Sequence, residues 1–431
     1  MTPPRRSARH PVRVAHLGLG AFHRAHQAWY TQLANDAGGD WGIAAFTGRS
    51  PEAARVLSAQ DALYTLVERS ADGDAPRTIE ALSRVHDGAG RAAWRATIAD
   101  PQVGVLTLTV TEAGYRPGAS AAARVLDGLA ARHAAGAGGI AVVSCDNLPR
   151  NGDVIRDAVL ALAAPDAALA TWIRTEVAFV STMVDRITPA TTDVDRAEVR
   201  RLTGWDDAAP VITEPFTEWV LAGTFPAGRP DWEAGGARFV ADIEPFERRK
   251  LWLLNAGHSL LAYHGLLRGR TTVAEAVADP ALRDELERLW AEQRVGLPFD
   301  DAAVEEALAA LRDRFANARI EHRLAQIATD GSQKLGPRIL DPLRARFAEG
   351  RPPGSAQAGV LGAWALHLAT TEPGSVRDAG AGDLPARLRD ARTPSDRAAL
   401  VVAALAPDLT ERTDLVALIA DRIASLQGAH A

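Results

Sequence analysis

The 431-residue sequence contains a single cysteine. Cys145 can form no intrachain disulfide and cannot by itself build a cysteine metal site, which fits a reducing compartment. Sustained basic runs are also missing beyond Arg5-Arg6 and Arg248-Arg249-Lys250, and the net charge is -6. That balance argues against a nucleic-acid partner and for a small-molecule ligand. The longest apolar run, Leu251 to Leu267, is interrupted by Asn255, His258, Ser259 and His264 and falls short of the ~20 residues of a membrane span. Met1 to Pro11 carry arginine and proline but no apolar signal segment, so a cytoplasmic protein without a membrane partner is expected. With 47% hydrophobic and 24% charged residues, the chain is globular and long enough for two substantial domains.

Strand-like apolar runs alternate with helical segments from Arg13 to about Pro189: Val12 to Leu19, Gly42 to Phe46, Val103 to Val110, Ile140 to Ser144 and Val177 to Met183. This alternation predicts an α/β fold with a doubly wound parallel sheet. Ala62 to Glu68 and Thr78 to Arg84 read as an inserted hairpin at the surface or an edge, with Asp72-Gly73-Asp74 as its turn. Gly223 to Gly236 is rich in Gly, Pro and Asp, and beyond Pro245 the pattern is almost wholly helical, as in Ala281 to Leu289, Asp301 to Phe315 and Arg397 to Leu405. The expected boundary lies near Asp242, giving a domain of 1–241 and an all-α domain of 242–431.

Arg13 to Gly20 reads as a strand entering a glycine turn, where Gly18 and Gly20 let the backbone approach a pyrophosphate at the start of a helix near His23. His23 holds the place of the usual third glycine. After the second strand, Thr47-Gly-Arg-Ser-Pro-Glu52 leaves the cofactor open: a carboxylate favours NAD, whereas Arg49 and Ser50 suit a 2′-phosphate.

Lys250-Leu-Trp-Leu-Leu-Asn-Ala-Gly-His258 places an amine, an amide and an imidazole in an apolar helical run. At ~100° per residue the three can face one cleft. A lysine against hydrophobic walls loses solvation and can take a proton from an alcohol, while Asn255 and His258 hydrogen-bond the same oxygen. The spacing equally suits a core helix whose Lys250 is solvated at the first turn and whose Asn255 and His258 are satisfied by backbone.

Several phrases occur in one order: Gly18 to His26, Gln60 to Thr65, Thr109 to Tyr115, Ser144 to Asn147, Met183 to Pro189, Ile212 to Phe216 and Lys250 to His258. Together they resemble the mannitol dehydrogenase family, metal-independent polyol and sugar-acid dehydrogenases, over nearly the whole chain. The resemblance implies a Rossmann-type domain followed by an α-helical one, and hydride transfer between NAD(H), with NADP(H) the alternative, and a secondary alcohol. It makes Lys250 the general acid/base, with Asn255 and His258 holding the reacting oxygen. Gly18, Gly20, Phe22, Arg24, Arg49, Asn147 and Asp185 fall at the dinucleotide, and Asn147 also at the substrate.

In the segment Gln326 to Lys334, mannitol-specific members carry arginine at the Gln326 position, so the phrase looks more like the fructuronate reductase branch, with Gln326 and Lys334 as substrate contacts. A mannitol- or arabitol-type dehydrogenase is the alternative, and a non-catalytic NAD or sugar-acid sensor an alternative of another class. No metal is expected: a site would need His258, His264 and an acid such as Glu244 or Asp242, but the two histidines are six apart on a helix and point in different directions. A 6-phosphogluconate or nucleotide-sugar dehydrogenase shares only the general layout. A monomer or small homo-oligomer is expected.

Overall fold

The computed structural model describes residues 4–48, 50–110, 112–115 and 120–428, so Arg49 lies outside the described residues. Two compact units, 1–244 and 245–431, make up the chain.

The first unit holds β1 (Val12–Leu17), β2 (Gly42–Phe46), β3 (Tyr64–Arg69), β4 (Asp74–Ile79), β5 (Leu82–His86), β6 (Val105–Leu108), β7 (Ile140–Ser144), β8 (Val177–Asp185), β9 (Val211–Thr213), β10 (Glu218–Ala222) and β11 (Arg238–Phe239). The main sheet runs β11-β10-β8-β7-β6-β1-β2-β5. It is parallel from β8 to β5, and β10 joins it antiparallel to β8. Strand order reverses between β1 and β6, so a crevice opens beyond their carboxyl ends, where Leu17 pairs with Leu108.

Alternation along the strands explains why both faces are covered. Val14, Ile43, Ala45 and Val105 enter one core, while Ala15, Ala44, Phe46 and Leu106 enter the other. Every residue of β2, β6 and β7 is buried accordingly.

The hairpin differs from the sequence reading. β3 pairs with β4 from Tyr64↔Ile79 to Arg69↔Asp74, and the Ser70 amide closes the turn on the Gly73 carbonyl at 2.9 Å. The expected second strand, Thr78 to Arg84, is split, because β5 leaves to pair with β2 at the edge of the main sheet. The hairpin instead forms its own sheet with β9, and Tyr64 and Leu66 bury into the first core.

The second unit contains no named strand among the described residues. Helix starts are capped as the sequence chemistry directs. Asp279 accepts from the Ala281 amide at 3.0 Å ahead of Pro280, and Asp300 accepts from the Ala303 amide at 2.8 Å. Thr393 and Asp396 form a reciprocal capping box. The Ser355–Thr370 helix is buried on nearly every side. Its Gly362 lets the C-terminal helix approach, since a Cβ there would lie 3.2 Å from Ile423 Cγ1. No described helix is long and apolar enough to cross a membrane.

Candidate functional site

A cavity of about 1140 Å³ occupies the switch point of the first unit. Its walls come from strand ends: Gly18 and Leu19 after β1, Gly48 after β2, Gly88 and Ala89 after β5, and Thr109 and Val110 after β6. The two turn glycines serve different ends. Gly18 has φ +112°, and a Cβ on it would lie 2.0 Å from the Thr109 carbonyl oxygen, so the meeting of β1 and β6 itself demands glycine. At Gly20 a Cβ would meet nothing closer than the Gly18 carbonyl at 3.5 Å. The fold tolerates a side chain there.

His23, in the position of the third glycine, is fully buried and stacks on His16 of β1 with ring centroids 3.3 Å apart. His16 Nδ1 lies 2.8 Å from Thr107 Oγ1 and its Nε2 3.1 Å from Thr109 Oγ1. Neither ring nitrogen of His23 has a hydrogen-bond partner. Burial pushes His16 down to about 3 and His23 well below the usual histidine value, so both rings are neutral. A stacked pair thus fills the space that close strand–helix packing would otherwise use.

Arg24 lines the cavity while its guanidinium holds the turn: Nε donates to the Gly20 carbonyl at 3.2 Å and Nη1 to the Ala209 carbonyl. Phe22 stacks on His26 at 5.1 Å against the first core, and neither Phe22 nor Gly20 is among the cavity-lining residues. Asn147 is exposed just beyond β7 and Asp185 is buried at the end of β8; neither lines this cavity.

The sequence reading missed the network that shapes these strand ends. Asp146 Oδ2 accepts from the Val110 amide at 3.1 Å and from the Tyr115 hydroxyl at 2.5 Å. Asn151 staples β7 to β8: its amide donates to the Asp146 and Thr182 carbonyls, both at 2.8 Å, and accepts from the Thr182 amide at 2.9 Å. The only sequence signal was that Tyr115 and Asp146 belong to two separate phrases carrying the resemblance.

In the second unit, Lys250–Asn255 is π-helical, and Ala256–Leu267 continues as an α-helix. The Ala256 amide reaches back five residues to the Leu251 carbonyl. The wider turn corrects the regular 100° spacing assumed between Lys250 and Asn255, and such insertions recur at functional sites. Lys250 and Asn255 are half-buried, and His258 is buried. The His258 ring packs 4.7 Å from both Phe315 and His322. Burial, reinforced by positive charge from His322, Arg314, Arg338 and Lys250, holds His258 well below the usual histidine value. Its Nε2 and the Asn255 Oδ1 are buried without hydrogen-bond partners. A neutral imidazole and an amide on adjoining turns can together hold one oxygen.

Gln326 is exposed in the short Leu324–Ile327 helix. Lys334 is half-buried, and its ammonium donates to the Thr329 carbonyl at 2.6 Å and to Thr329 Oγ1 at 3.2 Å. The lysine therefore anchors the loop between these two positions as well as carrying charge there. Among the described residues, no group of three or more His, Cys, Asp or Glu side chains is placed to hold a metal ion. His264 is buried on its own surroundings and pushed down to about 4 by desolvation.

Residues 12–234 match the mannitol dehydrogenase Rossmann domain and residues 242–427 the mannitol dehydrogenase C-terminal domain. Among curated relatives, D-mannonate oxidoreductase of Escherichia coli is 38% identical over 400 residues, covering 85% of this chain and 82% of the relative. Mannitol 2-dehydrogenase of Cereibacter sphaeroides is 36% identical over 371 residues, covering 79% and 77%. The solved mannitol 2-dehydrogenase of Pseudomonas fluorescens, a ternary complex with NAD and D-mannitol, is 31% identical with a TM-score of 0.82, covering 98% of this chain and 93% of that one. With both of its units matched, the chain belongs to the mannitol dehydrogenase family.

Proposed function

We propose that this chain is a dehydrogenase that transfers a hydride between a nicotinamide dinucleotide and a secondary alcohol of an open-chain polyol or sugar acid, without a catalytic metal. The turn from Lys250 to His258 carries the reading, because it combines an amine with two buried polar atoms that lack protein partners. In oxidation, the neutral Lys250 amine takes the hydroxyl proton. His258, donating from Nε2, and Asn255, donating from its amide nitrogen, hold the oxygen as negative charge grows on it, a role that fixed dipoles fill best in a water-poor site. In reduction, the Lys250 ammonium returns the proton.

The switch-point cavity suits a dinucleotide. A Cβ on Gly20 would make only an ordinary contact with the Gly18 carbonyl, and the backbone of this turn joins the cavity-lining residues Leu19 and Ala21, so a phosphate can approach it. Residues 1–241 act as the dinucleotide domain, with Gly18 and Arg24 on the cavity wall and Gly20 in the turn between them, while Asn147 and Asp185 stand at the ends of β7 and β8 off that wall, and residues 242–431 act as the substrate domain. When bound, the dinucleotide supplies the hydride acceptor. Glu52 and Ser50 both line the cavity, and the Glu52 carboxylate is also bridged by Arg55, so NAD(H) is the favoured cofactor with NADP(H) the alternative. Gln326, with Lys334 and Asn147 as further contacts, and the likeness to a mannonate oxidoreductase support a sugar acid of the fructuronate or mannonate type.

Absorbance at the reduced-nicotinamide band, with polyols and sugar acids offered alongside each cofactor, tests the reading. Lack of turnover for every pair rejects it.

A further inference from the structure

A second π-helical segment, Gly336–Leu340, carries Arg338 to the turn that holds Asn255 and His258. Arg338 Nη1 donates to Ser259 Oγ at 3.1 Å and, more weakly, to the Asn255 carbonyl at 3.5 Å. It therefore grips the main chain of one candidate oxygen-binding residue and the side chain immediately after the other. Ser259 is buried and Arg338 half-buried, so this contact is partly shielded from solvent screening.

The arginine is itself held in place. Gln293 Nε2 donates to the Arg338 carbonyl at 2.8 Å, and Gln293 Oε1 accepts from Gln357 Nε2 at 3.1 Å. Gln293 and Gln357 are both fully buried. Two buried amides on the Pro280–Gln293 and Ser355–Thr370 helices thus fix the backbone from which the guanidinium reaches out. The relay runs from Gln357, whose own Oε1 is buried without a hydrogen-bond partner, through Gln293 to Arg338, and its end point is the turn bearing Asn255 and His258.

We infer that Arg338 is a positioning residue: through Ser259 and the Asn255 main chain it sets the aim of Asn255 and His258 at the substrate oxygen. A guanidinium suits this task because its planar fork gives several donors in fixed directions, whereas the wider π-turn alone leaves the segment with a less regular ladder. The inference rests on the proposed role of the Lys250 to His258 turn.

Steady-state kinetics of Arg338→Gln, Arg338→Lys, Asn255→Ala and the double variant Asn255→Ala/Arg338→Gln test it. Arg338→Gln should lower kcat by about ten- to a hundredfold, the scale of a small misplacement of reacting groups, with dinucleotide affinity by calorimetry unchanged. Arg338→Lys should recover part of the loss. In the double variant the loss from Arg338→Gln should be smaller than in the wild-type background, since Arg338 acts in part through Asn255 and in part through His258. Multiplying losses in the double variant, or a wild-type kcat in Arg338→Gln, would overturn the inference while leaving Lys250-dependent turnover intact. Turnover that does not depend on Lys250 overturns the proposed function and this inference together. Should Arg338→Gln fail to fold, Ser259→Ala replaces it, with a smaller loss of kcat that shrinks in a His258→Ala background; a loss of the same factor there would overturn the inference.

Discussion

The imidazoles of His16 and His23 lie face to face, 9° from parallel, one on β1 and the other on the helix that follows the glycine turn. Burial keeps both neutral in the folded protein. The unfolded chain binds protons at histidine from about pH 6.5 downward, whereas folded His16 resists protonation until about pH 3. Stability from this pair is therefore fully present above the unfolded value and is lost as pH falls toward the folded one, at roughly 1.4 kcal/mol per unit of depression. Replacing His23 by Phe keeps a flat ring in the stack and removes the two unpartnered nitrogens. Urea midpoints at pH 7.5 and pH 5 should fall farther apart for the wild type than for His23→Phe. Equal losses would show that the pair does not couple folding to protons.

Gly20→Val should fold with a melting temperature near that of the wild type yet lose dinucleotide binding by calorimetry, because a Cβ there meets only the Gly18 carbonyl at 3.5 Å, an ordinary contact. Gly18→Ala should instead lower the melting temperature, since it meets the Thr109 carbonyl at a positive φ. Wild-type affinity in Gly20→Val would move the cofactor elsewhere.

Lys250→Ala should bind dinucleotide normally and lose turnover by roughly 10²–10⁴-fold, the worth of a positioned proton-transfer group. Small primary amines added to the assay should restore part of the rate by entering the space the side chain vacates. A variant with near-wild-type rates from neutral to alkaline pH would return this helix to a purely structural role.

Mannonate, fructuronate or a related acid should be turned over with a higher kcat/KM than mannitol or fructose. The motive is the amide at Gln326, where a mannitol enzyme of the family carries a guanidinium. Efficient use of mannitol and fructose with no activity toward the acids would reverse the substrate assignment.

Much of the first unit was readable because its signal is local. Runs such as Ile140 to Ser144 are apolar on both faces, as a strand covered by helices on both sides must be. The break between β4 and β5 was not readable: Glu80 and Ala81 include no glycine or proline, and pairing partners far along the chain decide where each strand ends. The short strands β9 to β11 escaped for the same reason. At the site, Lys250, Asn255 and His258 announced themselves as polar residues in an apolar run, but the π-turn that spaces them has no residue signature. The missing third glycine was visible in the sequence; the stacked His16 that accounts for it lies on another element.

The small sheet has a consequence for synthesis. β3 and β4 emerge early, yet Leu66, Val67 and Glu68 take their parallel partners from Val211, Ile212 and Thr213. A nascent chain therefore presents one flank of β3 as an open row of backbone donors and acceptors while most of the first unit is being made, and that row invites pairing with other chains. The N-terminal unit closes only once residue 213 has left the ribosome, so truncations ending before β9 should aggregate even though they retain the parallel core of the main sheet.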